Sequence, residues 1–244
     1  MPDDEHVVDA DRQVVAGALP PSARTPLGRE RIVAAAVNFI DESGLQALSM
    51  RRLGAALDVE AMSLYRYVPG RENLLDAVVE KVVEEMRNDD DVLESPQDGW
   101  QDFLQRLAHG VRRVALTHPK VFPLVASRPT EAPWLRPPLR SMNVVEGFLD
   151  SLLGEGFSDA AAVAAYRAFT SFLLGHLLLE VAALGADVGP LDVIDDGEDR
   201  NAKPMVYPTV SRLSDALAEE HSGEEFEEAL EELLNRLALL QAVS

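Results

Sequence analysis

The chain has 244 residues, of which 22 are lysine or arginine and 42 are aspartate or glutamate, so its formal net charge is −20. The hydrophobic fraction of 47% is ordinary for a globular protein and excludes wholesale disorder. The absence of cysteine excludes disulfide scaffolds, cysteine-based zinc sites, iron–sulfur clusters and cysteine nucleophiles. The negative charge argues against non-specific coating of nucleic acid or anionic membranes, although a local surface can still bind specific DNA.

The first 23 residues are rich in acidic side chains and show no sustained hydrophobic period, which predicts a disordered tail. The alternative is an additional helix over residues 5–18. The chain does not open with the basic and then apolar stretch of a secretion signal, so a cytoplasmic location is expected.

Four helices are predicted between residues 25 and 87, because apolar residues recur there at helical spacing between glycine- and proline-bearing breaks. Thr25 is the expected N-cap of the first helix, and Pro26 its first residue. Later helices are predicted over residues 50–57, capped by Ser49, over residues 60–67 and over residues 71–87.

The second half of the chain is also predicted to be helical, so the expected class is all-α. Ser95-Pro96-Gln97-Asp98 has the cap, proline and carboxylate that begin a helix. The apolar segment after Ser158 is long enough for a membrane span, but Arg167, His176 and Glu180 interrupt it. Burial against the core and a partner subunit explains it better, so no membrane partner is expected. Helices are predicted over 139–153, 158–184, 207–218 and 222–240, with a capping box at Ser222 and Glu225, a short helix and a loop over 119–138, and a loop over 185–205.

Two short predicted helices joined by a tight turn at residues 57–59 have the arrangement of a helix-turn-helix. Leu53, Leu57, Val59 and Leu64 are spaced to pack against the first helix, and Ala55 or Ala56 is expected to let the two helices approach. The residues left outside suit phosphate oxygens and base edges in a major groove. They are Ser49, Arg51, Arg52, Ala61, Met62, Ser63, Tyr65, Arg66 and Tyr67.

Local charge supports contact with DNA, because residues 24–72 contain seven arginines and six acidic residues, a net charge of +1. The excess negative charge of the chain therefore lies outside this segment. The alternatives are a helical bundle fragment that binds nothing and, for Arg52, a place on a solvated face.

Residues 28–86 resemble the N-terminal domain of the TetR (tetracycline-repressor-like) family of transcriptional regulators. The stretches that carry the resemblance are RIVAAAVNFIDESGLQALSMRRLGAALDV and SLYRYVPGRENLLDAVVE. The rest of the chain resembles the C-terminal domain of tetracycline repressors in WQDFLQRLAHGVRRVALTHP, SRP, GFSDAAAVAAYRAFTSFLLGHLLLE and YPTVSRLSDAL. After the tail over residues 1–23, the resemblance implies a DNA-binding domain over 24–87, and a regulatory, ligand-binding and dimerisation domain over 95–244.

By this resemblance the third helix is the recognition helix. Arg51 and residues 61–63 would then face bases, while Ser49, Tyr65, Tyr67 and Arg71 would contact phosphates. Asp58 stands where the family often has glycine in the turn, and aspartate tolerates the left-handed conformation better than most residues. Ala61 and Met62 offer only apolar contact, so the operator sequence is not predictable.

The last helix is expected to form a homodimer interface, since its apolar residues repeat at four- and three-residue intervals. Two such helices from each subunit would make a four-helix bundle. The alternative is a seam inside one chain. The predicted interface residues are Phe226, Leu230, Leu233, Leu237 and Leu240.

The resemblance also implies a small-molecule effector. Tetracycline repressors hold a magnesium–drug complex with a histidine whose counterpart here falls at about Leu124, while Glu180 occupies the position of a carboxylate from the partner chain. Neither a cofactor nor a metal is therefore expected, although His176 and Glu180 lie four residues apart and could ligate a metal or bond to each other.

An apolar cavity with Arg128 as a polar anchor is predicted, and core packing is the alternative for each residue of its wall. The predicted wall residues are Leu104, Leu107, Val111, Phe122, Leu124, Met142, Val145, Phe169, Thr170 and Leu173.

These features predict a ligand-responsive repressor that binds double-stranded operator DNA, and not an enzyme. Ligand in the C-terminal domain would shift the fourth helix and move the two recognition helices off the spacing of successive major grooves. The alternatives are an all-α enzyme that acts on a lipophilic substrate, for which no nucleophile–base pair is visible in the sequence, and a protein-interaction module that has lost DNA binding.

Overall fold

The computed structural model describes residues 26–89, 92, 96–128, 142–188 and 207–242. Every regular element in these ranges is helical, which confirms the predicted all-α class. The tail over residues 1–23 and most of the loop over 185–205 lie outside the described residues. The helices are α1 (Arg29–Ser43), α2 (Met50–Ala56), α3 (Ala61–Tyr65), α4 (Arg71–Arg87), α5 (Trp100–Thr117), α6 (Phe122–Ser127), α7 (Met142–Gly154), α8 (Asp159–Ala183), α9 (Pro208–Ala218) and α10 (Ser222–Ala242), with a 3-10 turn over Leu45–Ala47.

Several predicted helix starts are confirmed by their caps. The Ser49 hydroxyl oxygen accepts a hydrogen bond from the backbone N–H of Arg52 at 3.2 Å, and that of Ser158 accepts from Ala161 at 3.4 Å. Helix α4 has the predicted bounds, whereas α3 ends at Tyr65, two residues earlier than expected.

Two predicted helix starts are wrong, because glycines rather than prolines set the entry of the chain. Gly28 is the N-cap of α1 in an extended conformation, and Pro26 lies before the helix. Gly99 precedes α5 with a φ of 92°, in the region that favours glycine, so Pro96 is also outside the helix. Thr25 and Ser95 lie outside the described residues.

The predicted capping box at the start of α10 is also wrong. Ser222 is already the first helical residue, and its hydroxyl lies 2.5 Å from the Glu220 carboxylate and 3.3 Å from the Glu180 carboxylate of α8. The backbone N–H of Glu225 donates to the carbonyl of His221. The serine hydroxyl therefore faces these two carboxylates instead of capping its own helix.

The buried residues form two hydrophobic clusters. The N-terminal cluster contains residues of the four helices α1, α2, α3 and α4, such as Ile32, Leu53 and Leu64. The C-terminal cluster joins α5, α7, α8 and α10. The end of α5 and helix α6 contribute to the N-terminal cluster as well, since Val114, Val121 and Leu124 are buried in it.

The apolar stripe of α10 is mostly used inside its own chain, which corrects the predicted interface. Phe226, Leu230 and Leu237 are at most 2% exposed and belong to the C-terminal cluster with α8, so they cannot contact a second subunit. Leu233 and Leu240 pack partly against the same cluster and keep some exposure. The intrachain seam is therefore the correct reading for the three buried residues.

Helix α8 is the one helix in the described part of the chain that is long and apolar enough to cross a membrane. Length and composition alone do not distinguish a membrane-spanning helix from the core helix of a soluble protein. Phe169, Leu173, Leu177 and Val181 of α8 are buried in the C-terminal cluster.

Candidate DNA interface and ligand cavity

Helices α2 and α3 meet through Gly54 and not through the predicted alanines. A Cβ atom at Gly54 would lie 2.9 Å from the carbonyl oxygen of Val59 and 3.2 Å from the backbone nitrogen of Ala61, so only glycine fits. Ala55 and Ala56 are exposed. A glycine inside a predicted helix was the signal in the sequence that could have indicated this contact.

The turn between α2 and α3 has the predicted left-handed residue. Asp58 has a φ of 56°, and the backbone N–H of Val59 donates to the carbonyl of Gly54 at 2.9 Å. Behind the turn, Leu53 and Leu64 have no exposed surface, and Leu57 is nearly buried. Burial of these leucines fixes α2 and α3 on α1 and α4, and thereby determines which side chains remain outside.

The side chains outside this core are those that the sequence predicted for DNA contact. Met62 is 77% exposed on α3, Tyr65 is 44% exposed and Tyr67 is 38% exposed. Ala61 and Ser49 are half-buried, while the others are exposed: Arg51, Arg52, Ser63 and Arg66. Met62 is therefore free to make an apolar contact with a surface that docks on α3.

Two arginines of this surface also hold the 3-10 turn. The Arg52 guanidinium donates to the carbonyl of Ala47 at 3.0 Å. Arg71, the first residue of α4, donates to the carbonyl of Leu45 at 3.4 Å and lies 3.9 Å from the Glu72 carboxylate. Arg71 therefore connects the start of α4 to the segment that leads into α2.

A cavity of about 140 Å³ lies among α4, α5, α6, α7 and α8. Six of the predicted wall residues line it: Leu107, Val111, Phe122, Phe169, Thr170 and Leu173. The cavity wall also includes residues that were not predicted from the sequence: Val83, Met86 and Arg87 of α4, Val125 and Ala126 of α6, Val144 and Phe148 of α7, Leu174 of α8, and Val92 between α4 and α5.

The other predicted wall residues lie elsewhere. Leu104 and Val145 are buried in the C-terminal cluster, and Met142 packs partly against it. Leu124 is buried in the N-terminal cluster, because α6 turns this side chain towards the DNA-binding helices. Helical spacing identifies a buried face but does not separate a cavity wall from the packed layer beside it.

Arg128 is not the polar anchor of the cavity, which corrects another prediction. Its Nε lies 3.0 Å from the Asp76 carboxylate, and its Nη2 lies 3.0 Å from the Glu72 carboxylate and 3.1 Å from the Glu72 carbonyl. Burial by itself lowers the pKa of Arg128, but the two carboxylates outweigh it and raise the pKa. The arginine thus ties the end of α6 to the first half of α4.

A second polar link to α4 comes from His118, which follows α5. Its Nδ1 lies 2.7 Å from the Asp41 carboxylate of α1, and its Nε2 lies 2.9 Å from the Glu85 carboxylate of α4. The bond with Asp41 raises the pKa of His118 against the opposing effect of burial. The pKa of Glu85 is raised by burial but lowered overall by Lys81 and His118.

The residues at the positions that hold magnesium in tetracycline repressors do not fit a metal. Leu124 has no ligand atom. Both oxygens of Glu180 are taken by Arg112, whose Nε lies 3.0 Å from Oε2, and hydrogen bonding to Glu180 raises the pKa of Arg112. His176 does not pair with Glu180, since its ring packs against Phe226 at 5.2 Å and its Nε2 has no partner. No group of three metal-binding side chains occurs within the described ranges.

An exposed helix-turn-helix is typical of proteins that bind double-stranded DNA, and comparison with known proteins identifies the family. A family model described as bacterial regulatory proteins of the tetR family matches residues 32–78. A second, described as the tetracyclin repressor-like C-terminal domain, matches residues 93–239. The chain therefore belongs to the TetR family, whose members are transcriptional regulators that bind operator DNA and small-molecule effectors as dimers.

Similar proteins include the HTH-type transcriptional repressor DrrR1 of Streptomyces coeruleorubidus, which is 33% identical over 60% of this chain. The match covers 51% of that protein, so the chain spans about half the length of this relative. A possible TetR family regulator from Streptomyces coelicolor A3(2) has a crystal structure with a TM-score of 0.65 and 29% identity, covering 87% of this chain and 99% of that one. The S. coelicolor protein ActR in complex with actinorhodin has a TM-score of 0.62 and 25% identity, covering 87% and 96%.

Proposed function

We propose that this protein is a transcriptional repressor that binds double-stranded operator DNA as a homodimer and releases it when a small, mostly apolar molecule enters the cavity. The similarity to DrrR1 and the exposed surface of α2 and α3 support the repressor function. The bound actinorhodin of ActR supports a small-molecule effector. The proposed domains span residues 24–87 and 95–244, and the proposed location is the cytoplasm.

The placement of α4 is the observation that carries this proposal. Arg71 at its start contacts the segment that leads into the helix-turn-helix, whereas Val83, Met86 and Arg87 at its end line the cavity. The helix has 17 residues, so its two ends lie about 25 Å apart. A rigid rod with one end at each site is suited to convert occupation of the cavity into movement of the recognition helix.

The proposed DNA contacts are those of the sequence analysis. Arg51, Ala61, Met62 and Ser63 would contact base edges. Phosphates would be contacted by Ser49, Tyr65, Tyr67 and Arg71, while Arg52 and Arg66 belong to the same exposed surface. The exposure of Tyr65 and Met62 supports this arrangement.

The proposed dimer surface lies on α8, together with Leu233 and Leu240 of α10. Residues at four-residue intervals along α8 are exposed: Val163, Arg167, Ser171, Gly175 and Leu179. Leu179 is 73% exposed, and the small side chains at 171 and 175 let a second helix approach closely. An antiparallel pair of α8 helices would cover this stripe.

The effector is proposed to act without a divalent metal, because Glu180 is bonded to Arg112 and Leu124 stands where a histidine would be needed. Selection of bound duplexes from a random DNA pool tests the proposed function directly. The proposal predicts enrichment of a palindrome with half-sites about one or more helical turns apart. Recovery of unenriched DNA at physiological salt would contradict it.

A further inference from the structure

The cavity wall contains one cation among otherwise neutral residues. In the described part of the wall the side chains are apolar apart from Arg87 and Thr170. The Thr170 hydroxyl is neutral and hydrogen-bonds to Tyr166, whose pKa burial raises to about 12, so this pair stays uncharged at physiological pH. Among the described wall residues, Arg87 is therefore the charged group that a molecule in the cavity would meet.

Within the described part of the chain, Arg87 differs from neighbouring arginines in its lack of a side-chain partner. Arg112 bonds to Glu180, Arg113 to Asp89, and Arg128 to Asp76 and Glu72. By contrast, no residue in the described ranges forms an ion pair or side-chain hydrogen bond with the Arg87 guanidinium. An arginine beside an apolar cavity that has no carboxylate partner among the described residues is available for an anion from outside the chain.

We infer that the effector is an apolar molecule that carries an anionic group, and that Arg87 binds this group at the mouth of the cavity. The apolar body would fill the space among Leu107, Phe169 and Leu173, where loss of its hydration favours binding. A guanidinium bonds to carboxylates and other planar anions through two parallel N–H donors. A cationic effector would be repelled by the same group.

The position of Arg87 gives this contact a consequence for DNA binding. Arg87 is the last residue of α4, and Arg71 at the other end of α4 bonds to the segment that leads into α2. An anion bound to the Arg87 guanidinium would therefore change the contacts of the helix that also contacts the DNA-binding segment. Arg128 and His118 hold α4 at its first and second halves by ion pairs to Asp76 and Glu85. Binding at Arg87 would therefore act on a helix that is already linked to both domains. This inference rests on the proposed function, because it takes the cavity as the effector site.

A pair of probes that differ in charge alone tests the inference. 2-Naphthoate and 2-naphthamide have the same aromatic body and nearly the same shape, and their binding is measured by isothermal titration calorimetry. We expect the full-length wild type to bind the naphthoate more tightly than the amide. Arg87→Gln should weaken naphthoate binding on the order of tenfold and leave amide binding unchanged.

The matched control is Arg29→Gln on α1, which removes the same charge from an exposed ion pair with Glu80 of α4. This variant should bind both probes as the wild type does. The inference is overturned if the wild type binds the amide as tightly as the naphthoate, if neither probe binds, or if Arg87→Gln weakens both equally. The DNA selection above is a separate measurement, so failure of the repressor function and failure of the charge preference are distinguishable.

Discussion

Tyr65 shows how a single exposed side chain tests the docking of the DNA-binding domain. Its phenol stands at the end of α3, 44% exposed. Tyr65→Ala should weaken binding of operator and scrambled duplex alike, by about tenfold, because a phosphate contact carries no sequence information. Arg51→Ala should instead relax the preference at one base pair, by about 1–3 kcal/mol. Fluorescence anisotropy with both duplexes measures the two effects, and equal affinity of Tyr65→Ala and wild type would contradict the docking.

Leu64 and Met62 separate the structural from the exposed face of the same short helix. Leu64 has no exposed surface, so Leu64→Ala should lower the free energy of unfolding by about 2–5 kcal/mol. Met62 is 77% exposed, and Met62→Ala should change stability by less than about 0.5 kcal/mol. Urea unfolding followed by circular dichroism gives both values. A similar loss in the two variants would mean that α3 does not pack as described.

At the scale of helices, the sequence predicted much of the N-terminal domain, because its elements are short and have clear punctuation. Ser49, Asp58 and the bounds of α4 follow from local capping and turn chemistry, which act within a few residues. The starts of α1 and α5 were predicted wrongly, because Gly28 and Gly99, and not the prolines before them, directly precede these helices.

The cavity wall was harder to predict, because helical spacing does not show whether a buried residue faces the cavity or the packed layer beside it. The dimer surface was harder to predict because the same spacing does not show whether an apolar face packs inside the chain or against a second subunit. Leu104 and Leu107 are one turn apart on α5, yet only Leu107 reaches the cavity. Likewise, the heptad-like spacing of α10 indicated an apolar stripe without indicating its partner, which proved to be the chain's own α8 for Phe226 and Leu237. The role of Arg128 was predicted wrongly, because its partners Asp76 and Glu72 lie 52 and 56 residues away along the chain and are not visible in a sequence pattern.

The exposed stripe of α8 predicts the effect of a charge on assembly. Leu179→Glu should yield monomers at micromolar concentration, because in the proposed antiparallel pair each new carboxylate would be buried against the apolar end of the partner's stripe. Met62→Glu is the control, since Met62 lies on α3 in the DNA-binding domain. Light scattering measures the mass of each protein. A dimer mass for Leu179→Glu, or a monomer mass for the wild type, would place the interface elsewhere.

Across the whole molecule, His118 couples the two domains in a pH-dependent way. It bridges Asp41 of α1 and Glu85 of α4, which is itself paired with Lys81. Because the pKa of His118 is raised in the folded protein, the folded state holds the proton more tightly than the unfolded chain. Its stabilisation is fully present below the unfolded pKa of about 6.5 and is lost as the pH rises through the raised folded value.

We therefore expect the urea midpoint to fall between pH 6 and pH 9 in the wild type, and to fall less in His118→Gln. His221→Gln serves as the control, because His221 is exposed and pairs only with the neighbouring Glu219 and Glu224 of its own segment. The same pH slope in all three proteins would show that the bridge contributes nothing to stability. The lowered pKa of Glu85 acts at lower pH, below this window.

Occupation of the cavity is proposed to release operator DNA through α4. The fluorescence anisotropy of the selected operator is measured as 2-naphthoate is added in the presence of a chelator. We expect release from the wild type and retention by Leu173→Trp, in which the indole fills the cavity while the DNA-binding surface is untouched. Circular dichroism first establishes that this variant is folded. Operator that stays bound to the wild type when calorimetry shows the cavity saturated with 2-naphthoate would contradict this mechanism.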